Sequence, residues 1–109
     1  MPSYYLSEDL QRFGDMAKTS PELFDQFMKW YGATLAPGAL DCKTKQLLAL
    51  AVAFAIQEPY CIDSYAAQCD EAGWTPEQMA EAVQVAASIR GGGVLAHWVQ
   101  ACNTIARKG

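Results

Sequence analysis

The chain has 109 residues, 51% of them hydrophobic and 18% charged, which excludes a disordered polypeptide and fits one globular domain spanning 1–109. Eight Lys and Arg against twelve Asp and Glu give a net charge of −4, and no basic run interrupts that balance, so nucleic-acid binding has no electrostatic footprint. Met1–Asp9 lacks a basic region followed by an apolar stretch, and the longest apolar run, Leu47–Ile56, is half of what a membrane span needs; the expectation is a soluble, cytoplasmic protein without a membrane partner.

Helix punctuation recurs along the chain. Ser7 precedes Glu8 and Asp9, acids that suit the dipole of a first helical turn. Ser20-Pro21-Glu22 supplies an N-cap, a proline at the first helical position and an acid. Leu23, Phe24, Phe27, Met28 and Tyr31 then follow at 3/4 spacing, one amphipathic face closed by Gly32 and Pro37-Gly38. Asp41 caps the next helix, predicted to run through Gln57 and, from its apolar run, to be buried on most sides. Pro59 ends that helix and moves Glu58 out of helical geometry. Another helix starts near Cys61 and reaches Gly73, a C-terminal glycine cap. Thr75-Pro76-Glu77-Gln78 is a capping box opening a helix that ends near Arg90, where Gly91-Gly92-Gly93 is expected to break or hinge the chain. Val94, Leu95, Trp98, Val99, Cys102 and Ile105 mark a last helix. No segment alternates with period two, so the fold class is all-α with five to six helices.

Four cysteines stand at 42, 61, 69 and 102. In a cytosolic, apolar-rich chain they stay reduced; with no Cys-x-x-Cys pair and one His, no metal site is expected, and no cofactor. Cys61 lies at a helix start, where unpaired N–H groups and the dipole favour a thiolate. Tyr65 is one turn on, placed to donate to the sulfur, whereas the Glu58 carboxylate disfavours the thiolate. These influences oppose each other and leave the thiol close to its ordinary acidity. The bland alternative is a small buried residue filling a helix start. Cys69, eight residues further along the same helix, sits about 12 Å away and cannot form a disulfide with Cys61. Cys42 and Cys102 read as packing residues, and Lys43 and Lys45 as solvated surface.

Gln46, eleven residues, then Glu58-Pro-Tyr-Cys61-Ile-Asp-Ser-Tyr65 resembles the alkylhydroperoxidase D-like signature of the carboxymuconolactone decarboxylase family. That family's redox pattern is Glu, eleven residues, Cys-x-x-Cys, three residues, His. The spacing fits without a gap. Gln46 stands at the Glu, Glu58 at the first Cys, Cys61 at the second Cys and Tyr65 at the His. The flanks Leu47-Leu-Ala-Leu-Ala-Val-Ala and Glu81-Ala-Val-Gln-Val-Ala-Ala-Ser-Ile-Arg90-Gly-Gly strengthen the match, which covers nearly the whole chain. Pro-Tyr-Cys-Ile-Asp and His97 bring it near the arsenosugar biosynthesis-associated, peroxidase-like subgroup.

The resemblance implies an all-helical subunit assembling as a homo-oligomer, a trimer or a hexamer, with a thiol active site at the start of the Cys61 helix. In such proteins the Glu and His relay protons and the two Cys cycle between dithiol and disulfide. With Glu58 at the first Cys position an intramolecular disulfide is impossible here. What remains is a one-cysteine cycle through a sulfenic acid, resolved by an external thiol reductant. Gln46 keeps the capacity to orient a water, near the same pocket, and Tyr65 is a poor base at neutral pH.

Arg90 and His97 are the other groups to weigh. Seven residues separate them, so on a continuous helix they share a face. They offer a carboxylate-binding cation and a proton-transfer group, or a helix-terminal cation and an interface histidine. Three functions follow: a weak, one-cysteine peroxidase-like oxidoreductase acting on a small-molecule peroxide; a decarboxylase or isomerase of a small lactone acid using Arg90 and His97; or a silent oligomeric binding protein. The aromatic residues Tyr4, Tyr5, Trp30, Trp74 and Trp98 exceed what one small core absorbs, a further reason to expect self-association.

Overall fold

A computed structural model describes residues 5–108; Tyr4 lies outside them. A 3-10 segment, Ser7–Lys18, precedes five α-helices: α1 (Pro21–Leu35), α2 (Cys42–Ala55), α3 (Pro59–Glu71), α4 (Pro76–Ala96) and α5 (Trp98–Lys108). No strand occurs among the described residues, and none of their helices is long and apolar enough to cross a membrane.

Local chemistry sets most boundaries. The Asp41 side chain accepts from the Thr44 N–H at 2.7 Å and opens α2; the Thr44 contacts hold its carboxyl below the ordinary value. Thr75 and Gln78 form the reciprocal capping box at the start of α4. Ser20 occupies the N-cap of α1 without a side-chain cap bond, leaving Pro21 as the local signal there. Gly32 does not interrupt α1, which runs on to Leu35.

Two helices end in the same way. At α3 the Trp74 N–H donates to the Cys69 carbonyl (3.0 Å) and the Gly73 N–H to Asp70 (3.1 Å), with Gly73 at φ +94°. This is a Schellman motif with its usual glycine. At α2 the Glu58 N–H donates to Ala53 (2.9 Å) and the Gln57 N–H to Phe54 (3.2 Å), with Gln57 in the left-handed region at φ 58°. The second motif has no glycine to mark it, and its bonds stop α2 at Ala55 rather than at Gln57 as the sequence suggested.

Nor do the three glycines break the chain. Helix α4 passes through Gly91, Gly92 and Gly93 and ends at Ala96, with His97 as C-cap. Glycine costs about 1 kcal/mol per position against alanine but keeps its N–H, so the hydrogen-bond ladder stays intact where proline would interrupt it. Arg90 is therefore interior to α4, not at a helix C-terminus.

Helices α2 and α3 lie antiparallel. Gln46 near the start of α2 meets Gln68 near the end of α3, and the Trp74 indole N–H beyond α3 donates to the Lys43 carbonyl at 3.0 Å. The core between them is small: Leu50, Tyr65 and Cys69 are buried together, with Tyr31, Leu35, Leu47, Cys61, Trp74 and Met79 packed around. Lys43 is not simply solvated, since its ammonium stands 4.5 Å over the Trp74 ring.

Much apolar surface stays open. Only Leu50 and Ala53 of α2 are buried; Leu48, Val52, Phe54 and Ile56 are exposed, so the expected burial on most sides is not achieved within one chain. Among the described elements helix α5 packs on α4 alone and leaves Trp98, Val99 and Ile105 in solvent. The radius of gyration is 18.5 Å, against about 13 Å for a compact chain of this length. The accessible surface is 8438 Å², against roughly 5,900 Å² for a compact monomer of its mass.

Candidate functional site

Helix α3 organises the site. Glu58 is its N-cap, extended at φ −101° and ψ 102°, with its carboxylate accepting from the Tyr60 N–H at 2.9 Å. Pro59 occupies the first helical position, which puts Cys61 in the first turn. Cys61, Tyr65 and Cys69 follow one another at four-residue steps along one face. Cys69 is fully buried and Cys61 only partly. No disulfide links any of the four cysteines, and Cys42 and Cys102 are exposed rather than packed.

The Cys61 thiol opens into an apolar cavity of about 460 Å³ between α1, α2 and α3. Burial pushes the thiol's pKa up, and the Glu58 carboxylate adds to the rise. The balance drawn from sequence put the thiol near its ordinary acidity; it omitted desolvation, which disfavours the thiolate and adds to the Glu58 carboxylate.

Tyr65, 6% exposed, hydrogen-bonds hydroxyl to hydroxyl with Tyr31 of α1 inside that cavity. Burial raises its phenol well above the ordinary range, and the Tyr31 hydrogen bond and the Tyr31 and Cys61 charges add to the effect. The phenol therefore stays protonated and serves as a donor. Tyr31 is a site residue that the sequence reading placed only in an apolar stripe. Its signal was a hydroxyl at the edge of that stripe.

Gln46 faces elsewhere. Its amide donates to the Gln68 side chain at 3.5 Å, and Gln68 in turn donates to Ser64 at 3.0 Å. The side chains lining the cavity come instead from Lys45, Leu48, Ala49, Val52, Ala53 and Ile56 of α2. Lys45 is not free surface: its ammonium donates to the carbonyls of Thr34 (2.8 Å) and Ala36 (2.6 Å), fastening α2 to the C-terminal end of α1.

Arg90 and His97 are brought together, but away from the thiol. Both line an apolar groove of about 580 Å³ between α2 and α4, which shares only Val52 with the Cys61 cavity. His97 is exposed, with Nδ1 2.8 Å from the Gln100 side-chain oxygen. Among the described residues no group of His, Cys, Asp and Glu is arranged to hold a metal ion.

The sequence profile of the carboxymuconolactone decarboxylase family matches residues 21–103. An uncharacterized protein of Paracoccus denitrificans, protein 4 of the cox locus, is 39% identical over 84 residues, 77% of this chain and 76% of its own. Among solved structures, a carboxymuconolactone decarboxylase family protein of Legionella pneumophila superposes with a TM-score of 0.70 at 33% identity, covering 84% of this chain and 82% of the other. A family member of Thermotoga maritima, described with a suggested involvement in an antioxidative response, gives 0.59 at 26% identity, covering 79% and 95%.

Proposed function

The chain belongs to the carboxymuconolactone decarboxylase family, and on that premise we propose that it is a one-cysteine peroxidase-like oxidoreductase that reduces hydroperoxides with Cys61. The observation that carries this reading is the Cys61 thiol opening into an apolar cavity beside the hydrogen-bonded Tyr31–Tyr65 pair. The antioxidative association of the Thermotoga maritima relative points the same way.

In the peroxide step the Cys61 thiolate attacks the distal peroxide oxygen. The S–O bond forms, the O–O bond breaks, sulfur is oxidised to the sulfenate level, and the other oxygen leaves as an alkoxide. Tyr65, held protonated, gives its proton to that alkoxide and takes one back from solvent, and Tyr31 orients the phenol. The sulfenic acid then condenses with an external thiol, releasing water, and a second thiol displaces the mixed disulfide to restore Cys61. With Glu58 where a resolving cysteine would stand, the external thiol is obligatory. A raised thiol pKa keeps the thiolate fraction small at neutral pH, so turnover is slow.

The working species in this reading is a homo-oligomer, a trimer or a hexamer. The excess of exposed surface over a compact monomer has the size of an obligate interface, and among the described elements α5 has α4 alone to pack on. Light scattering at micromolar concentration should give a multiple of 11.9 kDa; the single-chain mass would remove the assembly reading.

The redox reading is tested by mass spectrometry of protein treated briefly with substoichiometric hydroperoxide and then a sulfenic-acid trap, in a Cys42→Ser, Cys102→Ser background that removes the exposed thiols. The expected product is a Cys61 adduct, with thiol-dependent peroxide consumption lost in Cys61→Ser. Equal consumption with and without Cys61 would sink it.

A further inference from the structure

We propose that the cavity above Cys61 is a site for an aliphatic monocarboxylate, so that the substrate class is an amphiphilic hydroperoxy acid rather than hydrogen peroxide. This rests on the Cys61 reading only for the identity of the reaction; the carboxylate site stands on the cavity itself.

Three observations combine. The first is shape. The lining residues contributed by α2 and its C-cap run from Lys45 to Ile56, a span of roughly 16 Å along the helix. Because α2 and α3 are antiparallel, Lys45 sits at one end of this trough, and Cys61, in the first turn of α3, sits toward the other. The second is chemistry. Leu35, Leu40, Leu48, Ala49, Val52 and Ile56 make walls that favour a methylene chain and offer nothing to a small hydrated peroxide. The third is charge. Among the described residues Lys45 is the one cation lining the cavity, and two of its three N–H donors are used on the Thr34 and Ala36 carbonyls. Among the described residues no carboxylate lies within ion-pair distance of it. One donor of an ammonium that has no carboxylate partner therefore remains, on a residue at the end of a largely apolar trough.

A carboxylate at Lys45 completes the ammonium's donor set and neutralises its charge. Its chain then extends along α2, and a peroxide borne away from the acid group comes to the Cys61 thiol. There the thiolate takes the distal hydroxyl, becoming a sulfenic acid as the O–O bond breaks. The hydroxy acid leaves as its alkoxide, protonated by Tyr65, and the external thiol reductant described above supplies the two electrons that restore Cys61.

The tests use octanoate and 1-octanol, which share a tail and differ in charge. Calorimetric titration of the full chain, below the micellar range, should show octanoate binding about tenfold tighter than octanol. Added salt should weaken octanoate alone. Lys45→Met should bring octanoate to the octanol level, and Lys45→Arg should keep the preference. If Lys45→Met fails to fold, the unaltered protein still decides the matter. Octanoate should slow iodoacetamide labelling of Cys61 at concentrations where octanol does not. Equal affinity for the two ligands, or no binding because another copy of the chain fills the cavity, would overturn the proposal. Octanoate binding that depends on Lys45, together with no peroxide consumption, would support the acid site and sink the peroxidase reading alone.

Discussion

The hydroxyls of Tyr31 and Tyr65 hydrogen-bond across the cavity, joining α1 to α3 one turn beyond the Cys61 thiol. The pair is at once a tertiary link and a donor system in the same cavity as the sulfur. Tyr31→Phe leaves the buried Tyr65 hydroxyl without its partner, a loss of about 1–3 kcal/mol. Tyr65→Phe should cost a similar amount, whereas the double variant should cost less than their sum, a coupling that chemical denaturation of all four proteins measures. In stopped-flow oxidation of Cys61, Tyr65→Phe should slow the peroxide step roughly 100-fold, and Tyr31→Phe less. Additive stabilities with unchanged rates would remove both roles.

Glu58 raises the Cys61 pKa from the same helix end. Glu58→Gln removes the charge and keeps an oxygen for the Tyr60 N–H. Alkylation of Cys61 at neutral pH should accelerate by roughly two- to fivefold. Identical pH–rate profiles for the two proteins would show that the groups do not interact. Glu58→Cys goes further, creating Cys-x-x-Cys at the start of α3. It should form a disulfide on oxidation and raise thiol-dependent peroxidase turnover.

Alkaline pH should weaken the fold. Cys61, Cys69 and Tyr65 all have pKa values raised by burial. A group whose pKa is higher folded than unfolded contributes stability below its unfolded value, and that contribution is lost as pH rises through the folded value. The cysteines set the onset near their ordinary 9.0. The urea midpoint should be flat below that pH and fall above it, and Cys69→Ala should flatten the fall while lowering the whole curve. A midpoint that rises between pH 9 and 11 would contradict the burial of these groups.

Gln57 holds a left-handed conformation at φ 58° that disfavours any residue with a Cβ. Gln57→Gly should stabilise the protein by roughly 0.5–1 kcal/mol, the strain relieved exceeding the added flexibility of the unfolded chain. Gly73→Ala, at φ +94°, should destabilise by a similar amount. Thermal unfolding of both variants checks the pair, and opposite signs are required.

What was legible in the sequence was what is local. Asp41, the Thr75–Gln78 box and Gly73 act within a few residues of where they stand, and each does in the structure what its type predicts. The Schellman turn at Gln57 was hidden because glutamine does not announce it. The partnership of Tyr31 with Tyr65 spans 34 residues, and the Lys45 ammonium reaches back to carbonyls that no side-chain pattern marks. The rise in the Cys61 pKa depends on which side chains surround the sulfur. A count of neighbouring charges in sequence cannot supply that.

Glu58 belongs to two helices at once: its N–H closes α2 on the Ala53 carbonyl, and its carboxylate opens α3 on the Tyr60 N–H. No slack separates the helices, so they mesh like gears on a shared tooth. One residue inserted between Ala55 and Pro59 would separate the two bonds that Glu58 makes and shift α3 relative to α2. Because Cys61, Tyr65 and Cys69 share one face of α3, such a shift would move them relative to the cavity and the core together. The exposed stretch between Leu35 and Cys42 joins α1 to α2 without such a double duty and should accept extra residues. Length variation in this fold is expected there, and not in the three residues that precede Pro59.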